Sequence, residues 1–87
     1  MRYLASELGP RKIRVNAISA GAVKTASARA IKDFSTMLDK APERAPLRRN
    51  TDPAEVADTA VFLASDLGRG VTGNCLFVDA GIQIMGV

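Results

Sequence analysis

The sequence predicts an α/β fold built around a parallel sheet. Three observations carry this. Ile13 to Ser19, IRVNAIS, alternates with the period of a strand. Asn74 to Asp79, NCLFVD, is a short apolar run of strand length. Between them lie two stretches with helical spacing, Arg29 to Lys40 and Asp52 to Leu67. Strands joined by so long a helical crossover pair in parallel, and such a crossover is right-handed.

The elements follow in order. Met1 to Leu8 reads as the end of a helix, with Leu4 and Leu8 on one face and Met1 a turn earlier. No capping residue stands ahead of Met1, so the helical pattern is expected to begin upstream. Gly9 is placed to be the left-handed residue after the helix, and Pro10 to stop it. In the first strand Ile13, Val15, Ala17 and Ser19 face one way, and Arg14, Asn16 and Ile18 the other. It runs into Ala20-Gly21-Ala22, small residues that let the backbone pass close to a neighbour. Ile31, Phe34, Met37 and Leu38 give the next helix its apolar face, and Ala41 to Asn50, with Pro42 and Pro46, reads as a loop.

The last helix has the clearest start: Asp52 as N-cap, Pro53 at the first helical position and Glu55 two residues further on. Val56, Ala60, Val61, Ala64 and Leu67 form its expected apolar stripe, and Gly68 its left-handed stop. The second strand is expected to be buried, with Cys75 a small apolar residue within it. Two strands alone are too few for a stable doubly wound sheet, and the first would have an open edge.

Eighty-seven residues make at most one small domain, and 47% apolar with 24% charged residues is a globular composition. The net charge of +3 is spread along the chain and is not interleaved with aromatics, so no nucleic-acid partner is expected. One cysteine and no histidine exclude an intrachain disulfide and an ordinary His/Cys metal site. No apolar run approaches the roughly 18 residues that span a membrane. No signal peptide is visible either, so the expected location is cytoplasmic.

Gly68 to Gly73, GRGVTG, fits G-x-G-x-x-G. A phosphate-binding loop of that pattern follows a strand and opens a helix, whose free N–H groups attract the pyrophosphate. Here the order is reversed: the glycines follow a helix and open a strand, and read as a turn. Arg14 to Thr25, RVNAISAGAVKT, has the better context, a strand running into small residues and a threonine. Ligands of doubly wound sheets lie outside the carboxyl ends of the strands. Ala20 and Gly21 suit the approach of a flat ring, the Val23 backbone suits an amide on it, and the Thr25 hydroxyl suits a phosphate oxygen. The same residues fit an ordinary strand-to-loop turn equally well.

Asn16 to Thr25, NAISAGAVKT, resembles the Asn-x-x-x-Pro-Gly-x-x-x-Thr segment of the short-chain dehydrogenase/reductase superfamily. The closer resemblance is to its NADH-dependent enoyl-(acyl carrier protein) reductases. It extends over RYLASELGP, the IKDF helix, APLRRNTDPAEVADTAVFLASDL and VDAGIQIMGV. Ser19-Ala20-Gly21 and the ending Ile84-Met85-Gly86 favour that branch. The resemblance implies the C-terminal part of a Rossmann-like doubly wound parallel sheet, over residues 1–87, with the dinucleotide-binding half lying upstream.

It also implies roles. The cofactor would be NADH, oxidised to NAD+. Ala20 and Gly21 would pack by the nicotinamide, Val23 would bind its carboxamide through the backbone, and Thr25 would contact the pyrophosphate. Ala26, Ser27, Ile31 and Phe34 would line the acyl pocket, although Ile31 and Phe34 are also at core helix spacing. Lys32 would meet the acidic carrier protein that bears the enoyl substrate. Ala22 stands where relatives often have proline, which leaves the loop less rigid. Homotetramers are implied through the Asp52 to Leu67 helix and the last strand, with Arg48 and Arg49 in surface or subunit contacts. The family's catalytic Tyr-x6-Lys is not in this chain: seven residues after Tyr3, its single tyrosine, stands Pro10.

Overall fold

The computed structural model describes residues 1–21 and 42–85. Helix α1 spans Arg2–Leu8, strand β1 Ala17–Ala20, helix α2 Pro53–Ala64 and strand β2 Cys75–Val78. Single 3-10 turns occupy Gly9–Arg11, Asp66–Gly68 and Ile82–Ile84. The helix expected over Arg29 to Lys40 lies outside the described residues.

The two strands pair in parallel, Ala17 opposite Cys75 and Ala20 opposite Val78. β1 is shorter than the alternation from Ile13 foretold, because the ladder starts only where β2 begins. Residues ahead of it are used differently. The Arg14 guanidinium donates to the Gly68 and Val71 carbonyls at 2.8 and 3.3 Å. Asn16 donates through Nδ2 to the Val71 carbonyl at 2.8 Å and accepts through Oδ1 from the Asn74 N–H at 3.1 Å. The Val15 N–H donates to Thr72 Oγ1 at 3.1 Å. GRGVTG is therefore the turn its context implied: it leaves α2, lies across the start of β1 and delivers the chain into β2.

The capping box of α2 is complete. Asp52 Oδ1 accepts from the Ala54 N–H at 2.9 Å, and Glu55 Oε1 accepts from the Asp52 N–H at 2.9 Å. The same Glu55 carboxylate takes a two-pronged bond from Arg49, at 2.5 and 2.8 Å. These partners hold the Glu55 carboxyl well below its ordinary value, at about 2; the Arg49 hydrogen bond is the larger cause and the Asp52 N–H the second. Arg48, the other member of the pair, folds back on its own segment, with Nη1 donating to the Glu43 and Ala45 carbonyls.

Several expectations are corrected. Gly9 is right-handed, at φ −54°, and the helix tightens into a 3-10 turn; the left-handed residue is Lys12, at φ 62°. α2 ends at Ala64 rather than running to Leu67, with Ser65 extended, and Gly68 is not a left-handed stop. Gly68 is needed because a Cβ there would stand 2.6 Å from the Phe62 carbonyl oxygen. Of the expected apolar stripe only Val56 faces inward; Ala60, Val61, Ala64 and Leu67 are exposed. Val56, Thr59 and Leu63 are half-buried, while Val61 and Leu67 are 68% and 76% exposed. Apolar residues lie almost all round α2, so spacing alone did not select the inner face.

Strand β2 is not buried. Leu76 and Val78 are half-buried, whereas Cys75 and Phe77 point outward and are exposed. The reason is topological: among the described residues two strands form the sheet, and α2 packs on both. Of the stretch expected to be a loop, residues 42–44 are helical. Buried apolar side chains among the described residues are Ala5 and Ala45 alone.

Candidate functional site

The carboxyl ends of the two strands meet the segments that precede α2 and follow β2. β1 ends at Ala20, which is exposed, and Gly21 continues the ladder by one bond, its N–H donating to the Val78 carbonyl at 3.0 Å. That carbonyl also accepts from the Thr51 hydroxyl at 3.2 Å. Thr51 and Asp79 are both buried there. A Cβ on Gly21 would stand 2.7 Å from Thr51 Oγ1 and 2.9 Å from Asp79 Cα and Cβ. Only glycine lets the end of β1 settle against this floor.

The chain leaving β2 is tightly turned. Ala80 and Gly81 are both left-handed, at φ 58° and 90°. The Asp79 carboxylate accepts from the Gly81 N–H at 2.9 Å and the Gln83 N–H at 3.1 Å, which closes the 3-10 turn Ile82–Ile84. The Ala80 carbonyl accepts from the Leu47 N–H at 3.1 Å, and Pro46 lies where a Cβ on Gly81 would be, 2.8 Å away. Four separate stretches of sequence are thus drawn together at one end of the sheet.

Of the residues singled out by sequence, Ala20 and Gly21 are at this end. Val23, Thr25, Ala26, Ser27, Ile31, Lys32 and Phe34 lie outside the described residues. Thr51 and Asp79 were not anticipated. Their sequence signals are slight: a threonine just before an N-cap, and an Asp-Ala-Gly turn just after a strand. Neither shows which backbone it will touch, because the contact joins residues far apart in the chain.

What the arrangement offers is a close-packed backbone edge with small side chains and a bare surface at Ala20. Such an edge leaves room for a flat group to approach the backbone at Ala20. The Asp79 carboxylate has both oxygens committed to backbone N–H groups and is not offered to a ligand.

A family model described as enoyl-(acyl carrier protein) reductase matches residues 1–83. The enoyl-(acyl carrier protein) reductase of Bacillus cereus, named as an NADH enzyme, is 57% identical over 86 residues, covering 99% of this chain and 34% of its own length. The enzyme of Staphylococcus aureus, named as an NADPH enzyme, is 54% identical over 83 residues, covering 95% of this chain and 32% of its own length. The crystal structure of the Bacillus cereus reductase with NADP+ and indole naphthyridinone superposes with a TM-score of 0.93 at 57% identity, over 99% of this chain and 34% of that one. The chain spans about a third of the length of the curated relatives it matches.

Proposed function

This chain belongs to the enoyl-(acyl carrier protein) reductase family, and we propose that it is the C-terminal portion of a reductase that reduces the 2,3 double bond of enoyl thioesters with NADH in fatty acid biosynthesis. The observation that carries this is the edge formed by Ala20 and Gly21 at the carboxyl end of β1, pressed on Thr51 and Asp79. It lies where ligands of doubly wound sheets bind. NADH, when bound, supplies the hydride. Ala20 and Gly21 line the nicotinamide, and Val23 and Thr25, on the segment that follows, hold its carboxamide and the pyrophosphate. Ala26, Ser27, Ile31 and Phe34 line the acyl pocket, and Lys32 faces the carrier protein.

The catalytic tyrosine and lysine belong to the part of the enzyme upstream of this chain. A homotetramer through α2 and β2 is supported by Val61, Leu67 and Phe77, large apolar side chains exposed on or just after those elements. A cytoplasmic enzyme accords with a fatty acid substrate carried on a protein, and no helix among the described residues is long and apolar enough to cross a membrane.

The test is turnover by the full-length reductase that contains this chain. Crotonyl thioester is expected to be reduced with NADH faster than with NADPH, and acetoacetyl thioester not at all. Reduction of acetoacetyl thioester instead would move the chain to the 3-oxoacyl branch of the superfamily. The isolated 87 residues are expected to show no turnover, because the chemistry needs the upstream tyrosine and lysine.

A further inference from the structure

Asp79 is the one buried carboxylate among the described residues, and the reaction proposed above gives it no part. Both of its oxygens are spent on backbone, Oδ1 on the Gly81 N–H and Oδ2 on the Gln83 N–H. Carboxylate-to-amide bonds of this kind are among the stronger hydrogen bonds. They fold the chain back on itself directly after β2, through two left-handed residues. The consequence falls on the neighbouring strand. Asp79 Cα and Cβ stand 2.9 Å from where a Gly21 Cβ would be, so Asp79 sets how deep the end of β1 can sink.

We infer that Asp79 is a positioning residue for the nicotinamide end of the cofactor: by binding the amides of Gly81 and Gln83 it fixes the floor under Gly21, and with it the height of Ala20 and Gly21 against the ring. The inference rests on the reading that Ala20 and Gly21 line the nicotinamide. An asparagine at this position keeps the Cβ and the size but has one accepting oxygen. Its NH2 would face an N–H, donor against donor. One of the two bonds is lost, the turn relaxes, and the floor shifts most directly under Ala20 and Gly21.

The experiment compares two ligands on the full-length reductase. NADH and ADP-ribose, the same dinucleotide without the nicotinamide, are titrated against the wild type and Asp79→Asn, and dissociation constants are measured by fluorescence or calorimetry. The expected result is NADH binding weakened about fivefold relative to ADP-ribose binding. Equal weakening of both ligands would mean that Asp79 supports the fold and nothing more specific, and no change in either would remove it from the site. Both results overturn the inference. If Asp79→Asn does not fold, Asp79→Ser keeps one accepting oxygen and must show the same selective loss. A wild type that binds NADH no more tightly than ADP-ribose would sink the nicotinamide reading itself, and this inference with it.

Discussion

Ala80 and Gly81 stand side by side in the left-handed region, yet only one of them is glycine. An alanine there carries a steric cost on the order of 1 kcal/mol. Ala80→Gly is therefore expected to raise stability by up to about 1 kcal/mol, part of the gain being offset by the greater freedom of glycine in the unfolded chain. Gly81→Ala should do the opposite. It combines a φ of 90° with a Cβ only 2.8 Å from Pro46, and a loss of about 1–3 kcal/mol is expected. Thermal unfolding of the two variants checks both signs, and two shifts in the same direction would contradict the account. These pairings also show where sequence reading reached its limit. Gly21 was legible as a place where a backbone can pass closely, although its run of small residues fits an ordinary strand-to-loop turn as well. Thr51 and Asp79, the groups that approach it, were not, since nothing local marks a contact made across 30 or more residues.

At the scale of the element, α2 shows what local chemistry can and cannot specify. Its start was readable to the residue, because an N-cap, a proline and a glutamate satisfy orphan N–H groups by contacts within one turn. Its end and its inner face were not. Gly68 has the spacing of a left-handed stop, yet its purpose is to clear the Phe62 carbonyl, and the buried side of a helix apolar almost all round is chosen by the sheet. Two outcomes follow from the start. Asp52→Ala removes the N-cap acceptor and should lower stability by about 1 kcal/mol, measured by urea unfolding. Glu55 has its pKa lowered in the folded chain, to about 2, so the folded state binds that proton more weakly than the unfolded state. Its contribution is complete above the ordinary glutamate value, about 4.3, and is lost as pH falls from there toward 2. Stability measured over that window should drop less steeply in Glu55→Gln than in the wild type. Equal slopes would show that the exposed Arg49–Glu55 pair contributes nothing to it.

At the scale of the whole molecule, the described residues are held more by backbone and polar contacts than by a core. Ala5 and Ala45 are the only buried apolar side chains among them, while Tyr3, Leu67 and Ile84 are 92%, 76% and 69% exposed. The 87-residue chain by itself is expected to unfold in urea with a shallow slope, about 1 kcal/mol/M or less, since the described residues bury little apolar surface. A steep, cooperative transition would contradict this. The parallel pairing has a further consequence, in time. Ala17 waits for Cys75, which is made 58 residues later. At typical rates of about 5–20 residues per second, some 3–12 s pass before its partner exists. For that interval the edge of β1 that β2 will cover is open to any other strand, and the bonds of Arg14 and Asn16 to the 68–74 turn cannot yet form. The pairing that closes the sheet is thus set by the order of synthesis as well as by the geometry of the finished fold.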